Sequence, residues 1–360
     1  MKIRDRYIAK TLLSSTMVVL VVWLSIYGFF NFLSELNSVG KEGYTIFLAF
    51  KYVLFQLPEV AYNQASPVIL MGCILGMGHL ATTSQLLVFR VSGASILKIT
   101  SLTLKNALVF VILLIAMGEY IAPISSNFAK NIRSNALGKN LISINEAGFW
   151  IRDGDNFINI QKNIDGKLFT GITVIEVNSS NKIERVIKSD SALFDFNSLD
   201  MKNVDIFSID DSSLFNNISL KERKSYNKIV SFDQDLINSF EKNPKDLKIW
   251  TLVKQIQFLS DNKLRSGIFE VELYKRLIRP ITLIAMILLA MLFIFGSARD
   301  VTIGRKIFFG VALGLSFEML SRVTSAMALS FDINPLISSL LPSSLLLIIS
   351  LTLLIQKSMR

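Results

Sequence analysis

One cysteine, Cys73, and one histidine, His79, are all that 360 residues contain of either type. A lone thiol cannot form a disulfide within the chain, so any soluble part must stand on its core and its strand pairing. A lone imidazole in the context GHLAT, outside any HExxH pattern, gives no zinc site and reads as part of a capped helix end. No metal ligand set is assigned. A GxxxxGK[ST] phosphate loop and a GxSxG nucleophile elbow are also missing. The chain is therefore not expected to hydrolyse ATP by itself, nothing supports a hydrolase, and no catalytic residue or cofactor is assigned to it. Charge is scarce as well, at 18% of residues.

Apolar residues fill the space. They make up 51% of the chain, with a mean hydropathy of +0.48, too apolar for an ordinary soluble enzyme. The net charge of +10 is unevenly placed: residues 151–250 hold 16 acidic and 14 basic side chains, leaving 12 acidic and 24 basic for the apolar remainder and its flanks. A nucleic-acid binder carries its excess on a soluble domain; here the excess surrounds hydrophobic runs, the pattern of positive-inside topology.

Six runs approach the ~20 residues a bilayer core requires of a helix: Thr11 to Ser34, Val60 to Phe89, Ile99 to Ala122, Pro280 to Ala298, Ile307 to Leu329 and Ile333 to Gln356. Lys2, Arg4, Arg6 and Lys10 precede the first and place the N-terminus in the cytoplasm. Arg90 and Lys98, then Arg299, Arg305 and Lys306, and finally Lys357 and Arg360 fall on the same side. No small-residue cleavage site follows the first run, so it reads as a retained span rather than a signal peptide. The soluble insert then faces the periplasm of a bacterium.

That insert, about Ile124 to Val271, changes period. GFWIRD, NFINIQ, GITVIEV, ALFDF and VDIFSID alternate every second residue, with Asp153-Gly154 and Asp165-Gly166 as turns. This predicts an antiparallel sheet of sandwich or jelly-roll type. Free strand edges in such a domain suit strand addition by another sheet protein. After Pro244 the period becomes helical, with Ile249, Leu252, Val253, Ile256 and Leu259 on one face. The fold class expected is a polytopic α-helical membrane protein of six transmembrane helices with an all-β jelly-roll-like domain between helices 3 and 4. Its parts are residues 1–123, 124–271 and 272–360.

Polar groups at bilayer depth mark function or buried pairing. Glu318 and Arg322, four apart on the fifth span, share a face; they neutralise each other or hold an anionic group. Lys275, Arg276 and Arg279 break the charge rule at the outer end of the fourth span, as headgroup anchors or as contacts to an anionic ligand. Glu59 beside Pro58 and Glu119 before Pro123 are placed at the outer interface. Gly72 with Gly76, and Gly310 with Gly314, are spaced for helix seams. Pro67 is expected to kink the second helix. The amphipathic stretch Thr82 to Ser95, TTSQLLVFRVSGAS, reads either as an interfacial turn or as a helix that docks in a partner's groove.

Over essentially the whole chain, and in order, these features resemble the LptF/LptG permease family of the lipopolysaccharide-export ABC transporter. DRYIAKT at Asp5 to Thr11, the segment with Ser84 and Ser92-Gly93, GEYIAP at Gly118 to Pro123, GFWIRDGDNFINI at Gly148 to Ile160 and FGSAR…GRKIFFGVALG at Phe295 to Gly314 carry the likeness. DRYI, GEYIAP and the insert motif favour the LptG branch over the LptF branch. The resemblance implies an inner-membrane subunit paired with an LptF-like permease on an LptB-like ATPase dimer, which binds the ATP and Mg. It implies that lipopolysaccharide enters laterally, is expelled upward, and passes to an LptC-like bitopic protein and an LptA-like periplasmic bridge. The stretch about 82–95 becomes the coupling helix, with Ser84, Gln85, Leu86, Leu87, Phe89, Arg90, Ser92 and Gly93 against the ATPase. Lys41, Lys275, Arg276, Arg279, Glu318 and Arg322 are the lipid-binding candidates. Two departures stand out: Gln85 where the family commonly has Glu, and Asn37 and Ser38 where basic residues are frequent, with Lys41 the nearest cation. The rival readings are the sister LptF role and a non-transporting sensor or scaffold.

Overall fold

The structure is a computed structural model, described over residues 3–138, 148–164, 167–178, 182–195, 197–210, 217–240, 242–296 and 303–359. Lys2, Arg299, Arg360 and the Asp165-Gly166 turn lie outside the described residues, as does the Lys306 side chain. The chain forms two compact units, Met1–Arg133 with Glu270–Arg360, and Ser134–Phe269.

The first unit is helical: α1 (Ile3–Leu36), α2 (Ile46–Asn63), α3 (Ala65–Thr82), α4 (Gln85–Val91), α5 (Ile96–Ala116), a π-helical turn (Met117–Ile121), α6 (Ala122–Ala136), α9 (Gly267–Gly296), α10 (Ile303–Ser330) and α11 (Pro335–Met359). Six helices among the described residues are long and apolar enough to cross a membrane. Each expected span falls on one of them, with changed ends. The second starts at Ala65 rather than Val60, because the chain breaks at Gln64, between α2 and α3. Pro67 therefore sits in the first turn of α3, where no intrahelical bond needs its missing N–H, and does not kink a continuous helix.

In this unit α3 is the central rod, with 78% of its apolar window buried against 22% for α1 and 17% for α10. Lipid is as apolar as leucine, so helices in it associate through close packing rather than hydrophobic exclusion. The glycines provide the closeness. A Cβ on Gly72 would stand 2.7 Å from Thr16 Cα, and one on Gly76 2.4 Å from Ser15 Oγ, fixing α1 to α3. The Ser15 hydroxyl donates to the Gly72 carbonyl at 2.9 Å across this seam. On α10, Gly310 meets Ile74 and Gly314 meets Pro67. Both glycine pairs thus build seams within the chain. Ile69, Ile74, Met77, Ile99, Val111, Leu283 and Met286 fill the space between α3, α5 and α9.

The second unit holds β1 (Phe149–Asp153), β2 (Asn156–Ile164), β3 (Leu168–Val177), β4 (Ile183–Asp195), β5 (Ser198–Asp210), β6 (Asn217–Ile229), α7 (Gln234–Phe240) and α8 (Ile249–Asp261). The strands follow chain order in one antiparallel sheet, the inserted sheet domain that the period-two runs predict. Alternation puts Ile158, Ile160, Ile172, Val174 and Ile187 on its buried side, and Met201 and Val204 share that side because Asn203, with φ 52°, offsets the alternation between them. The sheet rolls until its ends meet: Lys228 of β6 bonds Glu176 of β3 and Asn156 of β2, and Ser231 bonds Asp153 of β1. Phe169, Phe194, Phe232, Phe240 and Phe258 form a contiguous aromatic plug where α7 and α8 cover one end. On α8 the inward face differs from the expected one. Val253 is exposed, and Gln255, fully buried, takes a hydrogen bond from Ser239 of α7.

Candidate functional site

Two places in the helical unit carry groups that the fold does not use up. The first is α4. Ser84 enters it in the left-handed conformation, φ 60°, and Gly93 leaves with φ 86°. The Ala94 N–H returns to the Phe89 carbonyl at 3.1 Å and the Ser92 hydroxyl to the same carbonyl at 2.8 Å, so seven residues form a closed helical bracket between α3 and α5. Leu86 is buried in the helical core and Phe89 packs partly against it. They fasten the bracket to its own chain. Leu87, Val88 and Val91 point the other way, at 56%, 64% and 81% exposure, with Arg90 beside them. Three aliphatic side chains, at positions 87, 88 and 91, are thus left bare on a helix of seven residues. Gln85 turns inward, its Oε1 buried and without a partner among the described residues.

The second place is the far end of α1. Glu35 is 10% exposed at its side chain and forms a 2.9 Å ion pair with Arg133 Nε of α6. Tyr44, fully buried in the α1–α2 turn, donates to the same carboxylate oxygen at 3.0 Å. Burial first, and then the Glu35 charge, push the Tyr44 phenol far above its ordinary pKa, so it stays a donor. The Arg133 plane lies over the Tyr52 ring of α2, 5.5 Å from its centroid. Only Nε is engaged; among the described residues the two Nη groups make no hydrogen bond, and the side chain is 37% exposed. A guanidinium held by its edge and face, with its fork open, has the geometry for bidentate capture of an oxyanion.

The α9 cations stand differently. Arg276, 4% exposed, bridges Glu272 at 3.1 Å and Glu119 in the π turn at 3.5 Å. Arg279 donates to the Tyr62 carbonyl at 2.7 Å and caps its ring at 3.9 Å from the centroid. Against the same ring stands Gly118, where any Cβ would overlap it. Lys275 is half-buried and has a partner in the chain. Arg276 and Arg279 tie the π turn and α2 to α9. Arg276 extends no free fork, because a buried guanidinium must be paired, and Arg279 is held through one Nη by the Tyr62 carbonyl and ring. Glu59 accepts from Ser126 of α6. Lys41 is exposed in the turn after α1. On α10, Glu318 and Arg322 pair at 3.5 Å, with Arg322 67% exposed.

Sequence reasoning missed Arg133, Glu35 and Tyr44. Glu35 and Arg133 lie 98 positions apart, and no local spacing links them. The one available hint was a carboxylate at the very end of an otherwise uncharged span.

Compared with known proteins, residues 6–356 match the family model described as lipopolysaccharide export system permease LptF/LptG. The chain is 29% identical to the lipopolysaccharide export system permease protein LptG of Escherichia coli K12 over 357 residues, 98% of each chain. It is 26% identical to the protein of that name from Haemophilus influenzae Rd over 356 residues, again 98% of each.

Proposed function

Because the chain belongs to the LptF/LptG family of lipopolysaccharide export permeases, a family of non-catalytic, multi-pass membrane subunits, we propose how its parts serve that export. The N- and C-termini face the cytoplasm, with the sheet domain in the periplasm. The chain pairs with an LptF-like permease on an LptB-like ATPase dimer, takes lipopolysaccharide laterally from the outer leaflet, and delivers it upward to LptC-like and LptA-like sheet proteins. The LptG role is favoured over the LptF role by the named relatives.

The observation that carries this reading is the division of α4, with Leu86 sunk in its own core and Leu87, Val88 and Val91 bare. A bracket rigidly joined to α3 and α5 passes a push from a partner straight into the central rod. In the partner's groove those three side chains become buried, each worth about 1.5–3 kcal/mol when fully covered. Gln85, in place of an acidic residue, brings no charge to that contact and keeps its Oε1 turned inward. At the opposite end the open Arg133 fork meets the lipid's phosphates, joined by Lys41, while Arg276 and Arg279 keep the helices in place. For Glu318 and Arg322, the exposure of Arg322 favours a role at the substrate or partner face of α10.

Co-purification in mild detergent with the candidate permease and ATPase tests the proposal. Leu87→Asp combined with Val88→Asp is expected to release the ATPase while the permease pair survives. Leu86→Asp is expected to unfold the chain instead. A wild-type chain that purifies alone under several mild conditions, with no lipid-stimulated ATPase, would move the assignment to a sensor or scaffold.

A further inference from the structure

Arg133 sits beside a carboxylate that lowers its appetite for anions. Glu35 is nearly buried and its position is not left to Arg133 alone, since Tyr44 donates to the same oxygen from a fully buried site. When an anion draws the guanidinium aside, the carboxylate keeps a donor and is not stranded, which would otherwise be strongly unfavourable. Tyr52 offers its face to the guanidinium beside this pair. The cluster therefore permits two arrangements of one arginine, with the internal carboxylate or with an external oxyanion, and each leaves Glu35 bonded.

We infer that Glu35, held by Tyr44, is a positioning residue that orients the Arg133 fork and keeps its hold on a phosphate-bearing lipid headgroup weak enough to release. This rests on the proposed export function. A transporter gains nothing from a headgroup site that never lets go; binding must be reversible within each cycle. A bare arginine at a membrane interface grips a phosphate with a full charge and five donors. With Glu35 on Nε, the incoming dianion meets an almost neutral pair, and the carboxylate repels it from a neighbouring position.

The test uses the full complex, this chain with its partner permease and ATPase, in nanodiscs. Lipid affinity and lipid-stimulated ATPase rate are measured separately with phosphorylated lipid A and with its dephosphorylated counterpart. Glu35→Gln keeps the shape and the Tyr44 bond but removes the charge. It is expected to tighten binding of phosphorylated lipid about tenfold, the scale of one like-charge contact removed from a partly screened site. The maximal rate should fall, the dephosphorylated lipid should show no change, and Glu35→Asp should restore both values. Parallel loss of affinity and rate in Glu35→Gln would mean a merely structural pair and overturn the inference, as would no change. Inorganic phosphate at millimolar concentration should leave lipid binding intact; displacement of the lipid by phosphate alone would overturn the headgroup assignment. Arg133→Gln separates the two levels. If it leaves phosphorylated-lipid affinity unchanged, the headgroup site itself fails, whereas weakened binding with an unresponsive Glu35→Gln removes only the tuning.

Discussion

A missing methyl group decides more in this chain than most side chains do. Gly118 admits the Tyr62 ring so closely that a Cβ would stand 2.1 Å from Cδ2, and the ring is further held by Arg279, which lies 3.9 Å from its centroid. Gly118→Ala is expected to destabilise the protein by about 1–3 kcal/mol, the usual cost of forcing atoms into a full site. Nothing stands within 4 Å of a Cβ at Gly78, so Gly78→Ala should instead gain about 0.5–1 kcal/mol of helix stability. Thermal denaturation of the two variants in one detergent checks the contrast, and equal shifts would deny the tight fit. Asp233 behaves as a pH marker in the sheet unit. Burial raises its carboxyl, but the Lys254 bond at 3.0 Å and the Leu236 N–H at 2.8 Å outweigh it and leave the pKa below the ordinary value. The stabilisation is therefore present at neutral pH and fades as pH falls through that lowered value. Both side chains are more than a third exposed, so the effect is small. Asp233→Asn should show a shallower loss of melting temperature than wild type between pH 5 and pH 3.

Helices and strands differ in how openly the chain announces them. The uncharged runs behind α1 and α11 could be read directly, since 20 apolar residues have few alternatives to a membrane helix. The strands followed from period two and their turns. α2 escaped notice because Lys51, Gln56, Pro58 and Glu59 interrupt its apolar residues, and its identity as a helix depends on packing against α1. The π turn was equally hidden. It holds one residue more than an α-helical turn would, and it turns Ser125 and Ser126 of α6 onto α2, where they bond the Phe55 carbonyl and Glu59. The candidate site was legible by halves. α4 was visible as an amphipathic stretch, but which leucine faces outward required the fold: Leu86 is inward and Leu87 outward. The α9 cations looked available because Glu119 and Tyr62, which help to hold them, are distant in sequence, although Glu272 lies only four residues before Arg276. Removing one residue of the π turn, Tyr120, should re-phase α6 and separate these serines from α2, lowering the melting temperature by several degrees. An unchanged transition would show that the turn is dispensable.

At the scale of the whole helical unit, one helix is interior and several have bare outer faces. Met319 and Val323 on α10 are 68% and 53% exposed, whereas Ile69 and Ile74 on α3 are almost fully covered. Its one cysteine is buried, which makes single-cysteine variants easy to interpret. Cysteines at 319 and 323 should react with a membrane-permeant maleimide in the isolated chain and become protected, several-fold in rate, once the partner permease is bound. Cysteines at 69 and 74 should stay unreactive in both. Labelling at 319 that ignores the partner would place the subunit contact elsewhere. The seam between α3 and α10 also has a history in time. Pro67 and Ile74 of α3 wait for Gly314 and Gly310, which leave the ribosome only after the whole sheet domain has been made. At about 5–20 residues per second the delay is on the order of tens of seconds. Throughout it the central rod lies in the bilayer with one flank open, so lipid or an insertion factor must occupy that flank until the second half of the chain arrives and displaces it.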